Sequence, residues 1–388
     1  MHEGTAAIPS MFLINVAIIL IFTKIGGMIS KRIGVPSVLG QVLTGVILGP
    51  TIFGLLKPDL FLDEVGQIGV IFLMFLAGLD TDVKQMKAMG KQSFLVAAGG
   101  VIVPLCLGTL VAYWFKQNFQ TALFVGTILT ATSVSITVQT LMEMGKLKTV
   151  EGNIILTAAV IDDIIGIIIL AMVVGAGSNT NLVSLIGMIL LFFIVITVFG
   201  RLIFPSLIKL STKYDIHEGR VTLALACCLL FAWLADRMGV ATIIGAFMMG
   251  IFVGQTKINQ LVTERIQIIA YAFFIPIFFV GIGASANLHQ ISVTSLIFVL
   301  VIVFIAIITK IIGSMAGALI GRFPIHSAFR VGVGMIARGE VALIITSLGL
   351  RKGIIDNDIF SATLMLVLIS TIITPLLLSL AFKEPAKS

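Results

Sequence analysis

Charge is what this sequence has least of. Lys, Arg, Asp and Glu make up 11% of its 388 residues, against roughly 25% in soluble globular domains. Acids are the scarcer sign, with Asp and Glu numbering 18 together. Cysteine occurs three times and histidine four. Cys106, Cys227 and Cys228 lie inside apolar runs without ligand spacing, so they read as small buried hydrophobes rather than a disulfide or metal framework. His2, His217, His289 and His326 fall at or near segment ends, where an interfacial role is expected. Residues 1–8, MHEGTAAI, lack the basic stretch and small-residue site of a cleavable signal, so the first apolar segment is expected to be a retained span. The net charge of +7 is spread over short loops, a pattern that points to membrane topology and away from nucleic acid. Nothing in the motif inventory calls for a cofactor.

What is present is hydrocarbon. Apolar residues make up 59% of the chain, and mean hydropathy is +1.17. Apolar windows of about 18 residues or more recur from end to end, the mark of an all-α polytopic membrane protein. Runs bounded by charge, Gly and Pro predict thirteen spans, near 10–30, 36–54, 64–79, 91–115, 120–143, 149–176, 182–210, 217–236, 240–255, 261–284, 291–320, 326–350 and 358–382. The second and ninth are short and glycine-rich. Lys and Arg crowd one set of alternating loops, among them Lys31, Arg32, Lys84, Lys87, Lys146, Lys148, Arg220, Lys257 and Arg322. The other set holds only Lys57, Lys116, Arg237, Arg351 and Lys352. By the positive-inside rule the N-terminus lies outside and the C-terminus in the cytoplasm.

The chain repeats itself. Residues 32–49, RIGVPSVLGQVLTGVILG, align without a gap on 237–254, RMGVATIIGAFMMGIFVG. Arg32, Gly34, Val35, Gly40, Gly45 and Gly49 each meet an identical residue 205 positions on. A looser match sets FLAGLDTDV (75–83) against FVGIGASAN (279–287). The offset divides the chain into a six-helix repeat at 1–181, a linker helix at 182–211 and a second six-helix repeat at 212–388. One linker helix makes the second repeat enter from the opposite side, the inverted topology of many secondary transporters. Such folds bind substrate near the midplane, beside discontinuous helices.

Two segments look discontinuous. LTATSVSITVQTL (129–141) crowds hydroxyl residues at mid-depth, where they can satisfy freed backbone groups or face an ion. An offset of 204 carries 131–135 onto 335–339, beside GVGMIARGEVALII (332–345), where Gly and the charges of Arg338 and Glu340 interrupt an apolar run. Arg338 is placed to offset carbonyls at C-terminal half-helix ends, and Glu340 the amides at N-terminal ends.

VIDDIIGIIIL (160–170) then sets two acids in hydrocarbon, each costing about 2.5–3.5 kcal/mol or more at the bilayer centre. Adjacent helical residues diverge by about 100°, so Asp162 and Asp163 need different partners. Ala159 and Gly166 share the face of Asp163, where small side chains let a crossing helix approach. Asp163 is expected to meet Thr132, Ser133 and Ser135, an oxygen set suited to Na⁺ at Asp163 and Thr132 by the preference of hard cations for oxygen. Asp162 is expected to pair with Lys310, which lies too deep to snorkel. Glu143 and Glu151 are weaker candidates, for a cytoplasmic funnel. A carboxylate shut away from water has to be neutralised, by a proton or by a cation. If the protein changes sides only when neutralised, that competition becomes cation/proton antiport. Organic-anion symport on a related fold is the main rival from another class, with Arg338 as its anion contact.

Together the Asp-Asp pair, the TATSVS helix, mid-span Lys310 and the ARGE helix resemble bacterial Na⁺/H⁺ antiporters of the monovalent cation:proton antiporter-2 superfamily, over essentially the whole chain. The resemblance implies crossed discontinuous helices and Asp163 as the principal cation and proton carrier. It implies Thr132 at the ion, and Arg338 and Glu340 tying the crossing. It implies core helices near 64–176 and 261–382 moving against a homodimeric scaffold near 10–54 and 217–255, in a bacterial cell membrane. Lysine beside paired aspartates is the pattern linked to electrogenic exchange. K⁺ and Li⁺ remain open beside Na⁺, because the superfamily also holds K⁺/H⁺ exchangers.

Overall fold

A computed structural model describes residues 10–56, 60–175, 182–213, 218–285 and 296–383. These residues form helices and connecting turns, with no strand among them. The first half runs α1 (Ser10–Arg32), α2 (Ser37–Leu48), α3 (Leu60–Leu79), α4 (Val83–Ala88), α5 (Gly90–Trp114), α6 (Phe119–Thr130), α7 (Val134–Glu143) and α8 (Val150–Gly175). Next come α9 (Leu182–Val198) and α10 (Phe204–Lys213), joined by a π-helical turn at Phe199–Ile203. The second half runs α11 (Gly219–Arg237), α12 (Thr242–Gly254), α13 (Asn259–Ile269), α14 (Ile275–Ser285), α15 (Leu296–Ile320), α16 (Ile325–Gly334), α17 (Glu340–Arg351) and α18 (Asn357–Ala381). A second π-helical turn, Ala270–Phe274, joins α13 to α14.

Ten helical segments among the described residues are long and apolar enough to cross a membrane. The helices α2, α12 and α17 are apolar but shorter. At a rise of about 1.5 Å per residue, the 12 and 13 residues of α2 and α12 fall well short of a ~30 Å hydrocarbon core. They are the two segments that read as short and glycine-rich, and most of their residues are buried among other helices.

Sequence dictates where these short helices start and how closely they pack. Gly34 and Gly239 follow α1 and α11 with φ of +81° and +74°, left-handed conformations that close a helix and suit glycine. The chain then turns at once into α2 and α12. α2 packs on α1 and α14, while α12 packs on α11 and α3. Both crossings need bare backbone. A Cβ on Gly45 would lie 2.2 Å from the Val280 carbonyl, and one on Gly283 would lie 2.1 Å from that of Val42. A Cβ on Gly78 or Gly250 would likewise lie 2.2 or 2.3 Å from the carbonyl of Phe247 or Phe75. The offset that relates 32–49 to 237–254 also carries Gly45 onto Gly250 and Gly78 onto Gly283. The sequence match at 75–83 sets Gly78 against Ile282; the crossings relate it to Gly283, one position further on.

The remaining helices also pack reciprocally. α5 and α15 lie along each other, α5 contacts α6 and α8, and α15 contacts α16 and α18. Large apolar side chains exposed on α1 (Ile21, Phe22, Ile29) and α9 (Leu190, Leu191, Ile194) form an outer surface suited to lipid.

Candidate ion-binding site

Two interrupted helices meet inside the protein. Helical structure stops at Thr130 and resumes at Val134, with Ser133 in an extended conformation. It stops again at Gly334 and resumes at Glu340. The breaks face each other: the Ser133 amide donates to the Ala337 carbonyl at 2.7 Å, and the Thr137 hydroxyl to the Gly334 carbonyl at 2.8 Å. The approach is close enough that a Cβ on Gly339 would lie 2.6 Å from Ser133 Oγ.

Each break frees carbonyls at the C-terminal end of a half-helix, where partial negative charge accumulates. Two buried cations, both 0% exposed, meet that charge. Arg338 donates through Nη1 to the Ile336 carbonyl at 2.8 Å and through Nη2 to that of Leu129 at 2.8 Å, so its fork joins the two half-helix ends. Its own amide donates to Ser370 Oγ at 3.1 Å, and its carbonyl accepts from Thr371 at 3.2 Å. Lys310 donates to the Thr130 and Gly100 carbonyls, each at 2.8 Å.

Asp162 completes the coordination of Lys310. Its carboxylate accepts from the ammonium at 3.0 and 3.1 Å and from the Thr132 hydroxyl at 2.5 Å. The expected Asp162–Lys310 pair is therefore present, with side chains 1% and 0% exposed. Thr132 departs from its expected partner, because its hydroxyl proton goes to Asp162 rather than toward Asp163. The break turns residue 132 out of the helix, toward the face of α8 that carries Asp162. A hydroxyl that donates its proton keeps its lone pairs, so the Thr132 oxygen can still serve a cation.

Asp163 is 4% exposed and close enough to Lys310 to interact with its charge. Ser133 and Ser135 are buried beside the break, their hydroxyls 3.4 Å apart. The Glu340 side chain lies outside the described residues, as do His2, His217, His289 and Lys57. Gly166 does not have the expected role, since a Cβ added there would meet nothing within 4 Å.

A cavity of about 590 Å³ opens beyond the end of α7, lined by Ser37, Gln41, Asp80, Gln139, Glu143 and Tyr271 among others. Lys24, Lys31 and Lys148 stand at its exposed rim. Glu143 belongs to this cavity, yet it also caps α2: it accepts from the Ser37 amide and hydroxyl, each at 2.6 Å, and from Gln139 Nε2 at 2.7 Å. Glu151 is not among the cavity's lining residues and instead ties α8 to α16, accepting from Ser327 at 2.8 Å and Arg330 at 3.3 Å. Gln41, Gln139 and Asp80 are functional candidates that the sequence does not single out. The available signal is the polar spacing Ser135, Gln139, Glu143, which marks one face of α7.

Residues 17–384 match the family model described as sodium/hydrogen exchanger, transmembrane. The chain is 41% identical to the probable Na⁺/H⁺ antiporter GerT of Bacillus cereus, over 96% of this chain and 100% of that one. It is 39% identical to the Na⁺/H⁺-K⁺ antiporter GerN of Bacillus cereus, over 97% of this chain and 98% of that one. Among solved structures, the sodium proton antiporter MjNhaP1 of Methanocaldococcus jannaschii shares the fold. Its TM-score is 0.66 at 16% identity, covering 95% of each chain.

Proposed function

The chain belongs to the sodium/hydrogen exchanger family, and from that membership we propose that it exchanges Na⁺ for protons across a bacterial membrane by alternating access. The observation that carries this reading is the pair of adjacent buried carboxylates set against the meeting of two interrupted helices. Asp162 is held by Lys310 and Thr132, and Asp163, buried beside it on α8, is assigned the exchange of a proton for a cation. Thr132 and Ser133 supply neighbouring oxygens, and Arg338 holds the half-helix ends together. Organic-anion symport is disfavoured, because the Arg338 guanidinium is 0% exposed and both of its terminal nitrogens donate to backbone carbonyls. Potassium belongs in the test because GerN is a Na⁺/H⁺-K⁺ antiporter by name.

The crossings related by the repeat offset support two inverted repeats, 1–181 and 212–388, around a linker at 182–211. A core near 64–176 and 261–382 then moves against a scaffold near 10–54 and 217–255. A second cavity supports alternating access. It holds about 420 Å³ and is lined by Asp63, Asp236, Thr242, Ser285 and Ile344 among others. The same offset carries Ser37 and Asp80 of the first cavity onto Thr242 and Ser285 of the second. Two routes at equivalent places in the two halves are what alternating access uses. In this reading the lysine-rimmed cavity is cytoplasmic, the N-terminus lies outside and the C-terminus inside. The exposed apolar face of α1 serves a homodimer.

The test is proton movement in proteoliposomes at a fixed pH gradient, titrated separately with Na⁺, Li⁺ and K⁺. Antiport predicts proton movement triggered by cation, and the titrations rank the ions. Reconstituted protein that leaves the gradient unchanged under every cation refutes it.

A further inference from the structure

Gln139 is 1% exposed, and its carbonyl oxygen Oε1 is buried without a hydrogen-bond partner among the described residues. A buried amide oxygen left unpaired is costly. Flipping the amide does not remove the cost, because Nε2 donates to Glu143 at 2.7 Å and a flip would set oxygen against carboxylate. Gln41 presents the same feature across the cavity, with its Oε1 buried and unpartnered among the described residues. The Ser37–Glu143 contact ties their two helices together one turn from each glutamine. Gln41 lies one turn beyond Ser37 on α2, and Gln139 one turn before Glu143 on α7. Both glutamines line the same cavity, together with the carboxylates of Glu143 and Asp80.

We propose that the two glutamine carbonyls and Glu143 form an outer binding site for a monovalent alkali cation, distinct from the midplane acids. Each component has the chemistry for it. Amide carbonyls and a carboxylate are the oxygen ligands that hard cations take. Glu143 ends α7, so the partial negative charge of that helix end adds to the carboxylate. The rim cations do not fill the site: Lys148 pairs with Asp80 at 3.0 Å, Lys24 donates to the Tyr271 carbonyl at 3.1 Å, and both are exposed. Lys31 also stands at the rim and is exposed.

The outer site connects to the inner one along a single helix face. Ser135, Gln139 and Glu143 recur every four residues on α7, and Ser133 and Thr132 follow in the break. Gln139 lies five residues into α7 from Val134, roughly 7.5 Å along the axis, and Ser133 and Thr132 stand just beyond that end. A cation held at Gln139 is one short step from the midplane carboxylates, and its charge there favours release of their protons. This loading role rests on the antiport reading; the binding site itself does not.

The experiment measures unfolding temperature of the purified protein during NaCl and KCl titrations, with choline chloride holding ionic strength constant. Asp163→Asn removes the inner carrier. The outer site predicts that alkali cation still stabilises Asp163→Asn and that adding Gln139→Met abolishes the effect. Gln41→Met leaves the Gln139–Glu143 hydrogen bond intact and lowers affinity about tenfold, the loss expected for one charge-assisted oxygen contact. That variant also serves if Gln139→Met does not fold. Stabilisation that vanishes with Asp163→Asn alone overturns the proposal, as does stabilisation unaffected by either glutamine variant. So does wild type that gains nothing from alkali cation over choline. Cation binding lost with the glutamines in a protein that moves no protons would leave the site standing and refute antiport.

Discussion

Replacing Lys310 by Met tests the electrostatics of the midplane directly. The ammonium is fully buried and is shared between the Asp162 carboxylate at 3.0 and 3.1 Å and the Gly100 and Thr130 carbonyls at 2.8 Å. Methionine fills much of the same volume but removes every one of those donors. Breaking a buried pair from one side costs about 3–5 kcal/mol, because the partner's charge is left uncompensated. Asp162→Asn alone belongs in the same range, since it strands the ammonium. In the double variant neither charge remains, and the residual cost is chiefly two carbonyls without donors, about 1–3 kcal/mol each. Its loss therefore falls short of the sum of the single losses by about 4 kcal/mol. Equilibrium unfolding in mixed detergent micelles at one pH gives the four corners of the cycle. Losses that add to within about 0.5 kcal/mol, as they do for independent sites, would refute the pairing as the energetic centre of the site.

Arg338→Lys keeps the charge but not the fork that reaches Ile336 and Leu129 together. It should lose at least about 2 kcal/mol in the same unfolding assay, because lysine is a point donor. Gly283→Ala places a Cβ 2.1 Å from the Val42 carbonyl and should cost about 1–3 kcal/mol by overpacking. Gly166→Ala meets nothing within 4 Å and should be neutral or stabilising by up to about 1 kcal/mol, as helix propensity favours Ala; thermal unfolding of the two variants side by side separates the cases. Glu151→Gln weakens the tie to Arg330 and Ser327 and should cost about 1 kcal/mol. Its cation titration in proteoliposomes should match wild type, whereas a large rise in apparent KM would return Glu151 to the ion path.

Much of the site can be read from sequence because the bilayer makes each exception expensive. Lys310 and Asp162 stand out for a single reason, and each is the other's obvious remedy. Arg338 is legible as a cap on freed carbonyls, since Gly339 and the neighbouring charges break an apolar helix. Azimuth is harder to read. Spacing shows that Asp162 and Asp163 face different ways, but which of them meets Thr132 depends on how the break rotates residues 131–133 against α8. Gly166 misleads for a similar cause, as a small residue marks a crossing only where another helix comes. The looser match at 75–83 slips by one because its single glycine, Gly78, faces a segment with two, Gly281 and Gly283, whereas several paired glycines hold the match at 32–49. The end of α7 is hidden by scale. Gln139 and Gln41 are unremarkable in isolation, and Glu143 reads as a helix-end charge until α2 is brought against it.

The proposed exchange turns on one carboxylate, that of Asp163. Proton flux should be followed in proteoliposomes holding wild type, Asp162→Asn or Asp163→Asn, each shown folded by its unfolding transition, as cation is added against a fixed pH gradient. Cation-triggered proton movement in wild type that disappears in Asp163→Asn is the predicted result. Movement that persists at wild-type cation affinity in Asp163→Asn would contradict the assignment of proton and cation to a common group at that position.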